Sequence, residues 1–287
     1  MCGPAGMKSR RDHRDHRDHR DHRDHRDHRD LVWMVDTAAL VLASVLAAGA
    51  YPHDPRSPGL SRPGCTACGG VLWRSDVGAG AMYRCRSGAA CGAPPSVAFP
   101  GVCTATDWAG VSMCWQSAVV RGARAHAGFV ARARAAYGPV SAALRGAGGM
   151  PRRVQVIGHS MGGAVAILVG FRLADRFPCM RVEVVTFGCP RSCGACAVRA
   201  MDKLPNLGVT RVEIASDIVP RVPVAGCYHV GRAYVPAWRP HARAHRGVLG
   251  GHSVYAYVAA LGGTCGPGVG GNGHAPVLVH GHPRSSL

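Results

Sequence analysis

Ser160 stands in Gly158-His159-Ser160-Met161-Gly162, between the apolar run Val154-Gln155-Val156-Ile157 and a second apolar run from Ala164 to Phe171. A Gly-x-Ser-x-Gly sequence between a strand and a helix marks a sharp turn that lifts a serine hydroxyl above a sheet edge. The turn is tight, so the residues two before and two after the serine must lack bulk, which Gly158 and Gly162 supply. The next helix aims its positive N-terminal end at the hydroxyl, and Met161 offers a backbone N–H to developing negative charge. Gly163 and the two flanking apolar runs separate this segment from a chance match in a chain with 39 glycines.

A serine hydroxyl becomes nucleophilic when an imidazole takes its proton, and the imidazole needs a carboxylate to fix its tautomer. With a nucleophile on such a turn, the partners follow in the order Ser, Asp, His. Asp217 is the acid expected, because it closes the predicted strand Val209 to Ala215 and precedes Ile218-Val219-Pro220. That places it at the carboxyl edge of a sheet, where α/β sites assemble. Asp175, Glu183 and Asp202 fall on predicted helices or inside a strand. His229, His241, His245 and His252 all lie downstream, and spacing does not choose among them.

The elements needed to hold these residues are predicted by apolar periodicity. Val97 to Phe99 reads as a strand, Gly128 to Leu144 as a helix, Val154 to Ile157 as a buried strand and Ala164 to Phe171 as a buried helix. Val182 to Phe187 and Val209 to Ala215 read as further strands, with a short helix near Ala197 to Leu204 between them. This alternation predicts an α/β fold with a mainly parallel central sheet flanked by helices.

These segments together resemble the class 3 lipases, the family that includes the fungal triacylglycerol lipases, over roughly residues 35 to 262. The resemblance rests on the serine motif and four more segments in order: Phe99-Pro100-Gly101-Val102 through Asp107-Trp108, His126-Ala127-Gly128-Phe129, Thr186-Phe187-Gly188-Cys189-Pro190-Arg191, and Asp217-Ile218-Val219-Pro220-Arg221-Val222-Pro223. It implies an α/β-hydrolase fold, a strand at Tyr228-His229-Val230-Gly231, and His252 in His252-Ser253-Val254-Tyr255 as the catalytic histidine. It also implies an oxyanion hole formed by the backbone N–H groups of Val102 and Met161. The family usually has Arg-Gly followed by Ser or Thr where this chain has Pro100-Gly101-Val102, so the hydroxyl that helps hold the oxyanion is missing. Thr104 or a water is the substitute available to it. The stretch Thr104 to Gln116, with Trp108, Val111, Met113 and Trp115, corresponds to the family's apolar lid; core packing is the other role for those side chains.

The implied activity is hydrolysis of carboxylic esters of lipids through an acyl-serine, met at a membrane or lipid-droplet surface, with no cofactor and no metal. Phospholipase or acyltransferase action on the same triad is the enzymatic alternative, and a silent hydrolase scaffold used for binding is the other. A formal charge of +18 raises the question of nucleic acid, but only Lys8 and Lys203 are lysines and no basic cluster is interleaved with aromatics. A dispersed positive surface instead favours anionic lipid.

Residues 1–34 include an unbroken Arg-Asp-His repeat from Arg11 to Asp30, without an apolar face to bury, and are expected to be a disordered tail. Leu31 to Ala50 is interrupted by Asp36, and the apolar stretch from Thr37 is short for a membrane span. Ala48-Gly49-Ala50 resembles a cleavage site. The preferred reading is an amphipathic helix packed on the 35–262 domain and stopped before Tyr51-Pro52, and with it a soluble intracellular protein. Residues 263–287, rich in Gly and His, are expected to be a flexible tail. Thirteen cysteines in a chain of this length suggest reduced thiols rather than a full set of bridges. Cys65-Thr66-Ala67-Cys68 with Cys85 and Cys91 loosely imitates a zinc ribbon, but the second pair is widely spaced, and thiols in a strand-and-turn region are the preferred reading.

Overall fold

A computed structural model of the chain describes residues 37–51, 67–68, 72–77, 79–86, 91–102, 116–146, 149–223, 226–237 and 250–262. Among the described residues, seven strands form the main sheet: β1 (Leu72–Val77), β2 (Gly80–Cys85), β3 (Ser96–Phe99), β6 (Arg153–His159), β7 (Arg181–Phe187), β8 (Leu207–Val212) and β9 (Arg232–Tyr234), in that spatial order. The strands from β3 to β9 run parallel, while β1 and β2 add an antiparallel hairpin at one edge. A separate two-stranded hairpin pairs β4 (Gln116–Ala118) with β5 (Arg124–His126).

Side chains of a strand point alternately to its two faces, and here both faces are buried. On one face Val97, Phe99, Val154, Val156, Val182 and Val184 pack among side chains of helices α2 (Ala127–Arg145), α3 (Met161–Arg176) and α4 (Ala195–Asp202). The intervening residues Ala98, Ile157, Val185, Phe187 and Val212 face α1 (Thr37–Gly49) and α5 (Val254–Ala260). In α1, Leu40, Ala43, Leu46 and Ala47 recur at helical spacing and, with Ala50 just after it, are buried in that second core, so this helix is part of the fold. Among the described residues no helix is long and apolar enough to cross a membrane.

Three local expectations are corrected. β8 ends at Val212 rather than Ala215, because its partner β9 stops at Tyr234, two residues before Pro236, which has no N–H to extend a ladder. Asp217 therefore lies beyond the strand, on a turn closed by its own N–H to the Ile214 carbonyl at 3.0 Å. The strand implied at Tyr228 to Gly231 sits a few residues later, at β9; Tyr228 instead makes an isolated bridge to Cys193. Gly231 adopts φ 70° against Val209, a kink that comes just before the ladder starts. The helix after Ser160 is longer than the apolar run, since it opens at Met161 itself and closes at Arg176. The expected tails 1–34 and 263–287, the lid segment as far as Trp115, and Cys65, His241 and His245 lie outside the described residues.

Candidate active site

Ser160 has φ 56° and ψ −128°, a conformation that costs a residue with a side chain about 1–3 kcal/mol. The turn is held from both sides: the Ser160 N–H donates to the Phe187 carbonyl at 2.9 Å, and the Gly163 N–H donates to the Ser160 carbonyl at 2.9 Å. A Cβ on Gly158 would collide with the backbone of Gly162, and one on Gly162 would collide with the carbonyls of Phe99 and Pro100. The glycines are required because strand β6, helix α3 and the end of β3 meet backbone to backbone here.

Ser160, His252 and Asp217 come together although 92 and 35 residues separate His252 from the other two. His252 Nε2 lies 2.7 Å from Ser160 Oγ, and His252 Nδ1 lies 2.8 Å from Asp217 Oδ2. A carboxylate only accepts, so Nδ1 carries the proton and Nε2 is left to accept from the serine hydroxyl. His252 ends a 3-10 turn (Gly250–His252) directly before α5, whose start is capped by Ser253 Oγ accepting from the Tyr255 N–H.

Asp217 is buried, with its side chain wholly shielded from water, and each oxygen is satisfied. Oδ1 accepts the Val219 N–H at 2.9 Å, and Oδ2 accepts the Tyr257 hydroxyl at 2.7 Å in addition to His252. Burial, and next the Asp217 charge, push the Tyr257 phenol far above its ordinary pKa, so it remains a donor. Gly188, with φ 58°, forms the floor beneath this pair: a Cβ there would come within 2.6 Å of Asp217 Oδ2 and 3.2 Å of His252 Nδ1.

Three of the other acids are engaged elsewhere. Asp175 pairs with Arg121, Glu183 with Arg153 and Arg181, and Glu213 with Arg211. His229 instead hydrogen-bonds the Pro220 carbonyl at 2.7 Å and lies 3.9 Å from Glu213.

A second network, unforeseen in the sequence, supports His252 and the Gly101 backbone together. His159 Nε2 lies 2.8 Å from the His252 carbonyl, which only accepts, so that nitrogen carries the proton. His159 Nδ1 therefore accepts from the Tyr51 hydroxyl at 2.6 Å, and Tyr51 Oη in turn accepts the Gly101 N–H at 2.9 Å. Burial, and then the neighbouring His252, lower the His159 pKa to about 3, which keeps its ring neutral. Tyr51, read in the sequence only as part of a helix stop, thus ties the end of α1 to Gly101. The adjacency of His159 to the serine was the available signal; for Tyr51 and Tyr257 no sequence signal marks the role.

Val102 follows Gly101, whose added Cβ would lie 3.0 Å from Ser160 Cβ, so this backbone runs alongside the hydroxyl. Met161 occupies the first position of α3, where an N–H has no partner within the helix. The Val102 side chain is half-buried and packs against the α2–α3 core. The arrangement holds a serine hydroxyl against an acceptor imidazole, braced by a desolvated carboxylate, with backbone N–H groups at a helix N-terminus close by. That is the equipment for acyl transfer.

Residues 96–226 match the model of the family described as lipase (class 3). A phospholipase A1-II 4 of Oryza sativa subsp. japonica is 37% identical over 83 residues, which are 27% of this chain and 21% of that protein; the match thus spans about a fifth of that relative. Among solved structures, the Rhizomucor miehei triacylglyceride lipase superposes with a TM-score of 0.55 at 20% identity, covering 69% of this chain and 79% of that one. The lipase of Rhizopus microsporus var. chinensis gives 0.53 at 24% identity, covering 71% and 75%. Lip2 lipase of Yarrowia lipolytica gives 0.52 at 18%, covering 71% and 80%. The mainly parallel sheet flanked by helices is the α/β-hydrolase fold of these enzymes.

Proposed function

We propose, from the premise that this chain carries a class 3 lipase segment at residues 96–226, that it hydrolyses carboxylic esters of lipids through an acyl-Ser160 intermediate. The observation that carries this reading is the unbroken line Ser160 Oγ, His252 Nε2, His252 Nδ1, Asp217 Oδ2, with both links under 3 Å. Ser160 Oγ attacks the ester carbonyl as His252 takes its proton, and Asp217 stabilises the imidazolium. The carbonyl oxygen becomes an oxyanion facing the N–H groups of Val102 and Met161. Collapse breaks the bond to the alcohol oxygen, which leaves with the proton from His252. Water then attacks the acyl-serine with His252 as base, releasing the carboxylic acid and restoring Ser160.

A fluorophosphonate probe tests this reading on the full chain. Covalent labelling of Ser160 is expected, absent in Ser160→Ala and suppressed in His252→Ala. An unlabelled wild-type chain that is folded by circular dichroism would instead mark a binding scaffold. The rice relative's name favours a phospholipid as the second substrate class to assay, beside an acylglycerol.

A further inference from the structure

The open end of the β1–β2 hairpin gathers three thiols that acyl chemistry does not use. Leu72 pairs with Cys85, so the last residue of β2 lies beside the first of β1, shortly after Cys68 in the chain. β2 pairs antiparallel with β3 and Tyr83 aligns with Ser96, which brings the connection containing Cys91 back to the same end. The Sγ atoms of Cys68, Cys85 and Cys91 all lie within 4.8 Å of one another, with Cys68 and Cys85 at 3.5 Å. The Ala93 N–H is directed at Cys91 Sγ at 3.4 Å, a contact that favours a thiolate there.

The wide spacing between Cys85 and Cys91 argues against a ribbon only while the strands are unknown. A loop joining two antiparallel strands begins and ends at one edge, so its five intervening residues separate the cysteines in sequence and not in space. Sulfurs bound tetrahedrally to zinc at ~2.3 Å sit about 3.8 Å apart, within the spread observed here. A disulfide needs its sulfurs at about 2.05 Å and would use two of the three.

We propose that Cys68, Cys85 and Cys91 bind a thiophilic divalent cation, zinc by preference, each as a thiolate. Cys68 is exposed and the other two are half-buried, which leaves the ion a path in. Binding displaces the three thiol protons. Cys85 lies at the amino end of the parallel strands, whereas Ser160 lies at their carboxyl end, so the ion fastens the hairpin to β3 and takes no part in ester chemistry. The cluster also precedes residue 96, outside the segment that matches the lipase family.

The test uses full-length protein purified under reducing conditions. About one zinc per chain is expected by elemental analysis. The chelator-stripped chain titrated with cobalt should show thiolate-to-cobalt charge-transfer absorption. Cys85→Ser and Cys91→Ser should lose both signals, while Cys179→Ser, an exposed thiol just past α3, should keep them. Stripping should lower the thermal midpoint and zinc should restore it. Should either serine variant fail to fold, the cobalt spectrum of the wild-type chain still decides. No charge-transfer band in the reduced wild-type chain, or full metal content in the two serine variants, overturns the proposal, as does a Cys68–Cys85 disulfide in a chain that takes up no metal.

Discussion

Two limbs meet at Ser160, and they are built from different materials. The acid–base limb is made of side chains: His252 is held by Asp217, and Asp217 by Tyr257 and the Val219 N–H, with each carboxylate oxygen engaged. The limb proposed to hold the oxyanion is backbone, and its Val102 carries no hydroxyl. In the first limb every part is already braced, so a substitution there can only take away. The second has no side-chain donor at Val102, and a substitution there can add. The Gly101–Tyr51–His159–His252 chain of hydrogen bonds joins the two limbs and fixes their separation.

The sharpest way to break this contrast is Asp217→Asn. The amide fits the same space, but its NH₂ can face His252 Nδ1 and favour the tautomer in which Nε2 carries the proton and cannot accept from Ser160. A loss of about 10⁴ in kcat on a soluble short-chain ester is expected, with KM little changed. A loss of only a few-fold would show that Asp217 braces the turn and does not set the tautomer.

The opposite sign is expected on the other limb. Val102→Thr keeps the branched shape and introduces the hydroxyl that the oxyanion limb lacks. Single donors of this kind are worth about 10² to 10³ in rate, so a gain of up to about 10² in kcat is expected if no other group already fills the role. Steady-state kinetics beside the wild type, with thermal midpoints compared to detect a packing cost, gives the answer. An unchanged kcat would mean that the oxyanion limb is complete as it stands.

The contrast also explains what was legible in the sequence. Ser160 and its glycines form a local motif, because a strained strand-to-helix turn imposes its demands on residues next to one another. The parallel strands were legible because burial on both faces leaves continuous apolar runs such as Val182 to Phe187. Asp217 was legible by its place after a strand, although the strand ends five residues earlier than a closing acid would need. His252 was one of four candidates by spacing, and only family resemblance singled it out. Tyr51 and Tyr257 were illegible because their partners lie 108 and 40 residues away, and a tyrosine after a helix or inside one looks like packing. Glu213, an acid near Asp217 left out of the sequence comparison, turns out to be spent on Arg211. The grouping of Cys68, Cys85 and Cys91 was only loosely legible, because strand pairing, not spacing, brings its members together.

The smallest expected effect tests the link between the limbs. His159 is buried and neutral, with its pKa lowered from 6.5 to about 3 chiefly by burial, while in the unfolded chain it protonates near 6.5. Between those values the unfolded state binds the extra proton, so stability falls as pH falls below about 6.5, by up to about 1.4 kcal/mol per pH unit from this residue. His159→Gln keeps an acceptor and a donor but cannot titrate, so its stability should decline less steeply between pH 6.5 and 4.5. Urea unfolding at several pH values in that window measures both slopes, and carboxylates elsewhere contribute equally to each. Identical slopes would mean that His159 titrates in the folded chain much as it does in the unfolded one. The proton on Nε2 would then no longer be fixed by burial, and the hydrogen bonds linking Gly101 to His252 would lose their single direction.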